Sequence, residues 1–157
     1  MPVDRVGSMV GVGMVCEHLQ VNGLLTSFEV ADLNAPALDL PLEAGSFDAV
    51  ICNYLPYLHD PARLVSEARR CVKADGVAAF AWTSASLHEK QMAPAWREMS
   101  GSEQVTLVKK MLAGAGMNAQ SVRVDVSGPT DGDKLFLVSA SPSAPTKKPA
   151  SAVDLRV

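Results

Sequence analysis

"LPLEAGSFDAVICNYLPYLHDPARLVSEARRCVKADGVAAFAWT" runs from Leu40 to Thr83 and decides the fold. "DAVICN" (48–53) is a short apolar run bounded by polar residues, the pattern of a strand buried on both faces. Asp60 and Pro61 then open a helix. Asp is a preferred N-cap, and Pro fits the first helical position because the N–H it lacks has no partner there. Leu64, Val65, Ala68, Cys71 and Val72 fall on one face at helical spacing, while Arg63, Glu67 and Arg70 line another. Asp75-Gly76 predicts a turn that ends the helical region. "VAAFAW" (77–82) predicts a second buried strand. A strand, a crossover helix and a strand of this length make a parallel, right-handed βαβ unit.

The flanks extend the pattern. "SMVGVGM" (8–14) reads as a short strand, with parallel pairing expected near 9–12. "VCEHLQVNG" (15–23) reads as a short helix stopped by Asn22-Gly23. "SFEVAD" (27–32) alternates like a strand near a sheet edge. Residues 84–99 form a mixed segment. A helix is expected from Glu103 to Leu112, with Ser100 and Glu103 at capping-box spacing and Val105, Val108, Met111 and Leu112 as its apolar face. Gly114 and Gly116 stop it. "SVRVDV" (121–126) and "KLFLVSA" (134–140), joined by "SGPTDGD", predict an antiparallel hairpin. The fold class is α/β: a mostly parallel sheet finished by a C-terminal antiparallel hairpin. The domain is expected over 1–140. "SPSAPTKKPASAVDLRV" (141–157) is too poor in apolar residues to offset its ordering entropy and is expected to be a disordered tail.

Composition excludes several classes. The chain has 157 residues, 48% hydrophobic and 20% charged, with a net charge of -3, values that suit one soluble domain. No basic stripe points to nucleic acid. No apolar run approaches the ~20 residues that span a bilayer, and the N-terminus has no secretory pattern. Cys16, Cys52 and Cys71 have no metal-ligand spacing and read as reduced cysteines of an intracellular protein. The default expectation is a cytoplasmic location, with organelle import left open.

In an open α/β sheet, ligands bind beyond the carboxyl ends of the strands. Those positions are Gly11, Gly13 and Met14, then Asp32 and Leu33, then Asn53 to His59, then Thr83 to Ser86. Asp32 can accept from a ligand amine, or it can simply shape a strand-ending turn. Asn53 can face a ligand or bridge loops. Tyr54 and Tyr57 can wall a pocket or pack, and His59 can pack the turn before the Asp60 cap. Gly11-x-Gly13 alone is a weak signal. His18 and His88 have no carboxylate or cysteine at ligand spacing. No Ser/His/Asp set, P-loop or metal cluster is present.

The segment from Asp32 to Thr83 resembles the central part of the class I S-adenosylmethionine-dependent methyltransferases. Asp32, Leu40-Pro41, Ser46-Phe47-Asp48, Arg70, Val72-Lys73 and Asp75-Gly76 stand where that family has an Asp, "LPF…SFD" and "R…LKPGG", although "KADG" replaces "KPGG". "GVGMVCEHL" (11–19) followed by "DLN" (32–34) is similar to a plant and algal branch of methyltransferase-like proteins. The resemblance covers about residues 5–140. It implies S-adenosylmethionine as cofactor, an unknown methyl acceptor, and a cofactor-binding set of Gly11, Gly13, Met14, Asp32, Leu33 and Asn53. Asp32 and Leu33 would hold the adenine, and Asn53 would face the methyl or the acceptor; no catalytic side chain is expected. It also implies a sheet of order 3-2-1-4-5-7-6, and here the chain departs from it. The first strand and its glycine-rich loop have no counterpart, and Gly13-Met14 stand where an acidic residue binds the ribose. The chain is therefore expected to begin at the second strand, truncated and weak in cofactor binding. Exposed sheet edges would make it poorly stable or oligomeric. In a second register "VGVGM" is the first strand and its loop, and Asp32 is the ribose acid. That register leaves no third strand between Asp32 and Phe47, so the first is preferred. Two functions follow: a methyltransferase, or a degenerate fold that serves as a partner module.

Overall fold

The computed structural model describes residues 6–83, 92–129 and 133–143. The chain divides into two compact units, one ending at Pro41 and one beginning at Leu42.

The first unit is a βαβ motif. Strand β1 (Val10–Gly13) is followed by the one-turn helix α1 (Cys16–Gln20) and strand β2 (Ser27–Val30). β1 and β2 pair in parallel, from Val10 opposite Ser27 to Gly13 opposite Val30. Thr26 sets this register. Its Oγ1 accepts the Met9 N–H at 2.9 Å and donates to the Met9 carbonyl at 2.9 Å. α1 is shorter than the 15–23 segment expected, because Asn22 ends it as a turn: its Oδ1 accepts the Leu24 N–H at 3.1 Å.

The second unit holds strands β3 (Phe47–Cys52), β4 (Val72–Thr83), β5 (Arg123–Ser127) and β6 (Leu135–Ala140), with helices α2 (Pro61–Cys71), α3 (Pro94–Glu98) and α4 (Gly101–Gly114). Its sheet has the order β3-β4-β6-β5. β3 and β4 are parallel, as the βαβ reading requires, and β6 is antiparallel to both β4 and β5. The expected hairpin is present, and its returning strand lies between β4 and β5.

Caps and apolar faces explain the helices. Asp60 accepts the Arg63 N–H at the start of α2, and Pro61 occupies the first turn. Leu64, Val65, Ala68 and Cys71 are buried. Fully burying a side chain such as Leu64 or Val65 contributes about 1.5–3 kcal/mol. Arg70 grips Glu67 through two bonds of 3.0 and 2.8 Å and donates to the Leu42 carbonyl at 2.7 Å, tying the loop before β3 to α2. Ser100 and Glu103 form the capping box of α4.

Two expectations are corrected. Asp75-Gly76 makes no turn; the strand continues through it. From Phe47 to Ala49 β3 advances two residues, while from Val72 to Val77 β4 advances five, so β4 bulges there. A Cβ on Gly76 would lie 2.7 Å from the Asp48 carbonyl oxygen, so glycine is required by close approach. Lys73 braces the bulge with a 2.7 Å ion pair to Asp48, which holds that carboxyl below its ordinary range. The second correction concerns β3 and β4, which are not buried on both faces. Cys52, Ala78, Phe80, Trp82, Phe136, Val138 and Ala140 share the buried face, toward which α2 and α4 pack. On the other face Ile51 is 74% exposed and Val77 is exposed too.

The segment expected to be a tail begins with fixed residues. The Ser141 N–H donates to Ser121 Oγ at 2.8 Å, and the Ser143 N–H donates to the Ala74 carbonyl at 3.1 Å. Residues 144–157, and Ser84 to Ser86 with His88 of the mixed segment, lie outside the described residues.

Candidate functional site

The C-terminal ends of the parallel strands carry the candidate residues. In the first unit, Gly11 and Gly13 lie within β1, not in a loop beyond it. The space a Gly11 side chain would take is filled by Leu25, so this glycine serves strand packing. Met14 follows the strand and is 67% exposed. The Ala31 N–H donates to the Gly13 carbonyl at 2.9 Å and prolongs the pairing by one residue. Asp32 then turns the chain. Its Oδ1 accepts the Asn34 N–H at 2.9 Å and its carbonyl accepts the Ala35 N–H at 3.0 Å. Asp32 is exposed and Leu33 half-buried. The turn role and the ligand role are compatible, because the turn engages only one carboxylate oxygen.

In the second unit, Asn53 follows β3 and is exposed. The Tyr54 N–H donates to Cys52 Sγ at 3.4 Å, and a short turn over Leu55–Tyr57 follows. Leu55, Pro56 and Leu58 are buried and anchor this loop. Tyr54 and Tyr57 meet edge to face, with ring centroids 6.3 Å apart. Tyr54 is exposed, Tyr57 half-buried and His59 exposed. The Ala93 N–H donates to the Pro56 carbonyl at 2.9 Å, so the loop is held from its far side as well. Burial pushes the Cys52 thiol up, which keeps it neutral and unreactive.

Sequence reasoning missed Gln104. It is buried beneath the end of β4, where its Oε1 accepts the Trp82 indole N–H at 2.8 Å. Its Nε2 donates to the Trp96 carbonyl at 3.1 Å. Trp82 stacks on Phe136 at 5.5 Å and meets Trp96 edge to face at 5.6 Å. The signal was available: Gln104, Val108 and Leu112 repeat every four residues on the face that α4 buries. A buried Trp also needs an acceptor. Among the described residues, no group of three or more His, Cys, Asp or Glu could hold a metal ion, and no helix is long and apolar enough to cross a membrane.

Residues 6–80 match the methyltransferase domain family model. Among solved structures, an S-adenosylmethionine-dependent methyltransferase from Mesorhizobium loti aligns with a TM-score of 0.58 at 18% identity, covering 85% of this chain and 79% of that one. The fold is the Rossmann-like methyltransferase fold. A chain from the complex between the Haloferax volcanii Trm112 methyltransferase activator and a methyltransferase aligns with a TM-score of 0.54 at 20% identity, covering 87% of this chain and 72% of that one. The [4+2]-cyclase SpnF aligns with a TM-score of 0.59 at 12% identity, covering 88% of this chain and 68% of its own. No curated protein matches the chain. The domain match likens residues 6–80 to methyltransferase domains, and these solved structures share the fold. The cyclase shows that the same fold hosts other chemistry, so the reaction must be argued from residues.

Proposed function

We propose that this chain is an S-adenosylmethionine-dependent methyltransferase-like protein whose acceptor is a small molecule or a protein. The observation that carries the reading is the methyltransferase domain match over residues 6–80. S-adenosylmethionine, when bound, supplies a sulfonium methyl for in-line displacement. Such a reaction asks the protein mainly for proximity and alignment. On the first unit we assign Asp32 and Leu33 to the adenine: the free carboxylate oxygen of Asp32 accepts from the amine, and the Leu33 N–H reads a ring nitrogen. On the second unit we assign Asn53 to the acceptor. Gly13 and Met14 contribute backbone at the end of β1, whereas Gly11, inside the strand and packed against Leu25, offers no cradle.

A second reading is a degenerate, non-catalytic methyltransferase fold that acts as a partner module, related to the plant and algal branch. It draws on the sheet topology. β1 and β2 form one sheet and β3 to β6 another, whereas the family resemblance implies a single sheet with a strand at its centre. A structural neighbour described as part of a methyltransferase–activator complex makes a protein partner a natural extension of this reading.

Calorimetry with S-adenosylmethionine and S-adenosylhomocysteine separates the two. Each missing charged hydrogen bond costs about 1.5–3 kcal/mol, and each 1.4 kcal/mol is tenfold in affinity. The methyltransferase reading expects weak binding that Asp32→Ala abolishes. Micromolar binding would favour the register in which "VGVGM" is the cofactor loop. No binding by the unmodified chain would leave the partner-module reading.

A further inference from the structure

β5 is the outer strand of the second unit, and among the described residues β6 is its only strand partner. All five of its residues are exposed. Val124 and Val126 lie opposite Val138 and Phe136, so their side chains extend the apolar face of the sheet beyond its last covered row. Arg123 and Asp125 stand on the other face, two residues apart and of opposite charge. Among the described residues neither enters an ion pair within the chain. Outer strands usually resist further pairing through charged side chains, a proline or a bulge. β5 has no proline and no bulge, and its two charges are of opposite sign, so they can complement a second copy rather than repel it. Its row of N–H and C=O groups has the spacing of a strand ladder, which only another extended strand matches.

We propose that a second copy of this chain pairs with β5, antiparallel, across a twofold axis centred on Val124. The alternation Val122, Arg123, Val124, Asp125, Val126 is self-complementary in this register. Arg123 of each copy faces Asp125 of the other, Val124 faces its own equivalent, and Val126 faces Val122, which is extended and continues the strand. Shifting the axis to Asp125 would oppose two carboxylates, and shifting it to Val126 would leave Arg123 without an anion. Charge therefore selects the register. The four strands of each copy then form one continuous sheet, and the exposed valines of both copies cover one another. The pairing is isologous, so it closes at two copies and does not propagate.

Sedimentation velocity on the full chain over a concentration series tests this. The unmodified chain should dimerise with concentration, and more weakly in high salt. Arg123→Asp alone, or Asp125→Arg alone, places like charges opposite each other in both halves and should weaken the dimer about tenfold or more. The double swap Arg123→Asp with Asp125→Arg restores opposite charges and should restore the dimer. All of these side chains are exposed, and circular dichroism verifies that each variant folds. As a register check, Val124→Cys should form an inter-chain disulfide beyond that of the unmodified chain under the same oxidation. A monomer at every concentration, a dimer indifferent to the single reversals, or a double swap that fails to restore it would each overturn the proposal.

Discussion

Gln104 joins two tryptophans through one amide: Trp82 Nε1 donates to its Oε1 at 2.8 Å, and its Nε2 donates to the Trp96 carbonyl at 3.1 Å. The bond crosses from β4 to α4 and reaches back to α3, so a single side chain fixes three elements. Gln104→Ala should leave the Trp82 indole N–H buried without an acceptor. A loss of about 1–3 kcal/mol is expected for each orphaned group. Urea unfolding followed by tryptophan fluorescence measures it, and a loss below 0.5 kcal/mol (about the scatter of surface substitutions) would show the amide to be dispensable.

The two tryptophans should respond differently. Among the described residues, Trp96 Nε1 is buried with no hydrogen-bond partner, whereas Trp82 Nε1 is bonded. Trp96→Phe removes an unsatisfied donor, and Trp82→Phe strands the Gln104 oxygen. Trp82→Phe should therefore cost about 1 kcal/mol or more beyond Trp96→Phe, and equal unfolding midpoints would contradict the assignment.

Gly76→Ala tests the bulge. The added methyl would meet the Asp48 carbonyl oxygen at 2.7 Å and Val72 Cγ2 at 2.8 Å. Backbone cannot yield as a side-chain tip can, so a destabilisation of about 1–3 kcal/mol is expected. Gly114→Ala is the control, since nothing lies within 4 Å of its Cβ position. Thermal melts of the two variants should differ clearly.

Alkaline pH should expose the buried thiols. Burial pushes Cys52 and Cys71 above the ordinary value of 9.0. The unfolded chain then loses those protons first. The stability they contribute is fully present below pH 9.0 and is lost as pH rises through the folded-state values. Cys52→Ala should flatten the fall in urea midpoint above pH 9.0. An unchanged slope would mean that other groups carry it.

The local elements were legible because their causes are local. Asp60, Pro61 and the Leu64–Cys71 face specify α2 within a dozen residues. Ser100 with Glu103 starts α4, and the turn-rich link between "SVRVDV" and "KLFLVSA" predicts a hairpin. Asp75-Gly76 misled because the dipeptide favours turns, and nothing nearby reveals that the Asp48 carbonyl sits against it. The candidate ligand residues were legible only as strand-end positions; that Gly11 faces Leu25, and that Asp32 also shapes a turn, depends on atoms brought close by folding.

The sequence by itself determined α2, α4 and the central residues of the strands, the parallel crossover from β3 to β4, and the antiparallel return of β6, since caps, periodicity and connection length act over a few residues; α3 and the start of β4 at Val72 were not legible in it. Only the tertiary structure decided the rest. It set β6 between β4 and β5, left Ile51 and Val77 exposed on the second face of β3 and β4, and placed Gln104 against Trp82. Those outcomes turn on which distant surfaces meet. A continuous apolar run such as "AVIC" has the same pattern whether one face is covered or two, so only the helices that pack on it settle how much of it is buried.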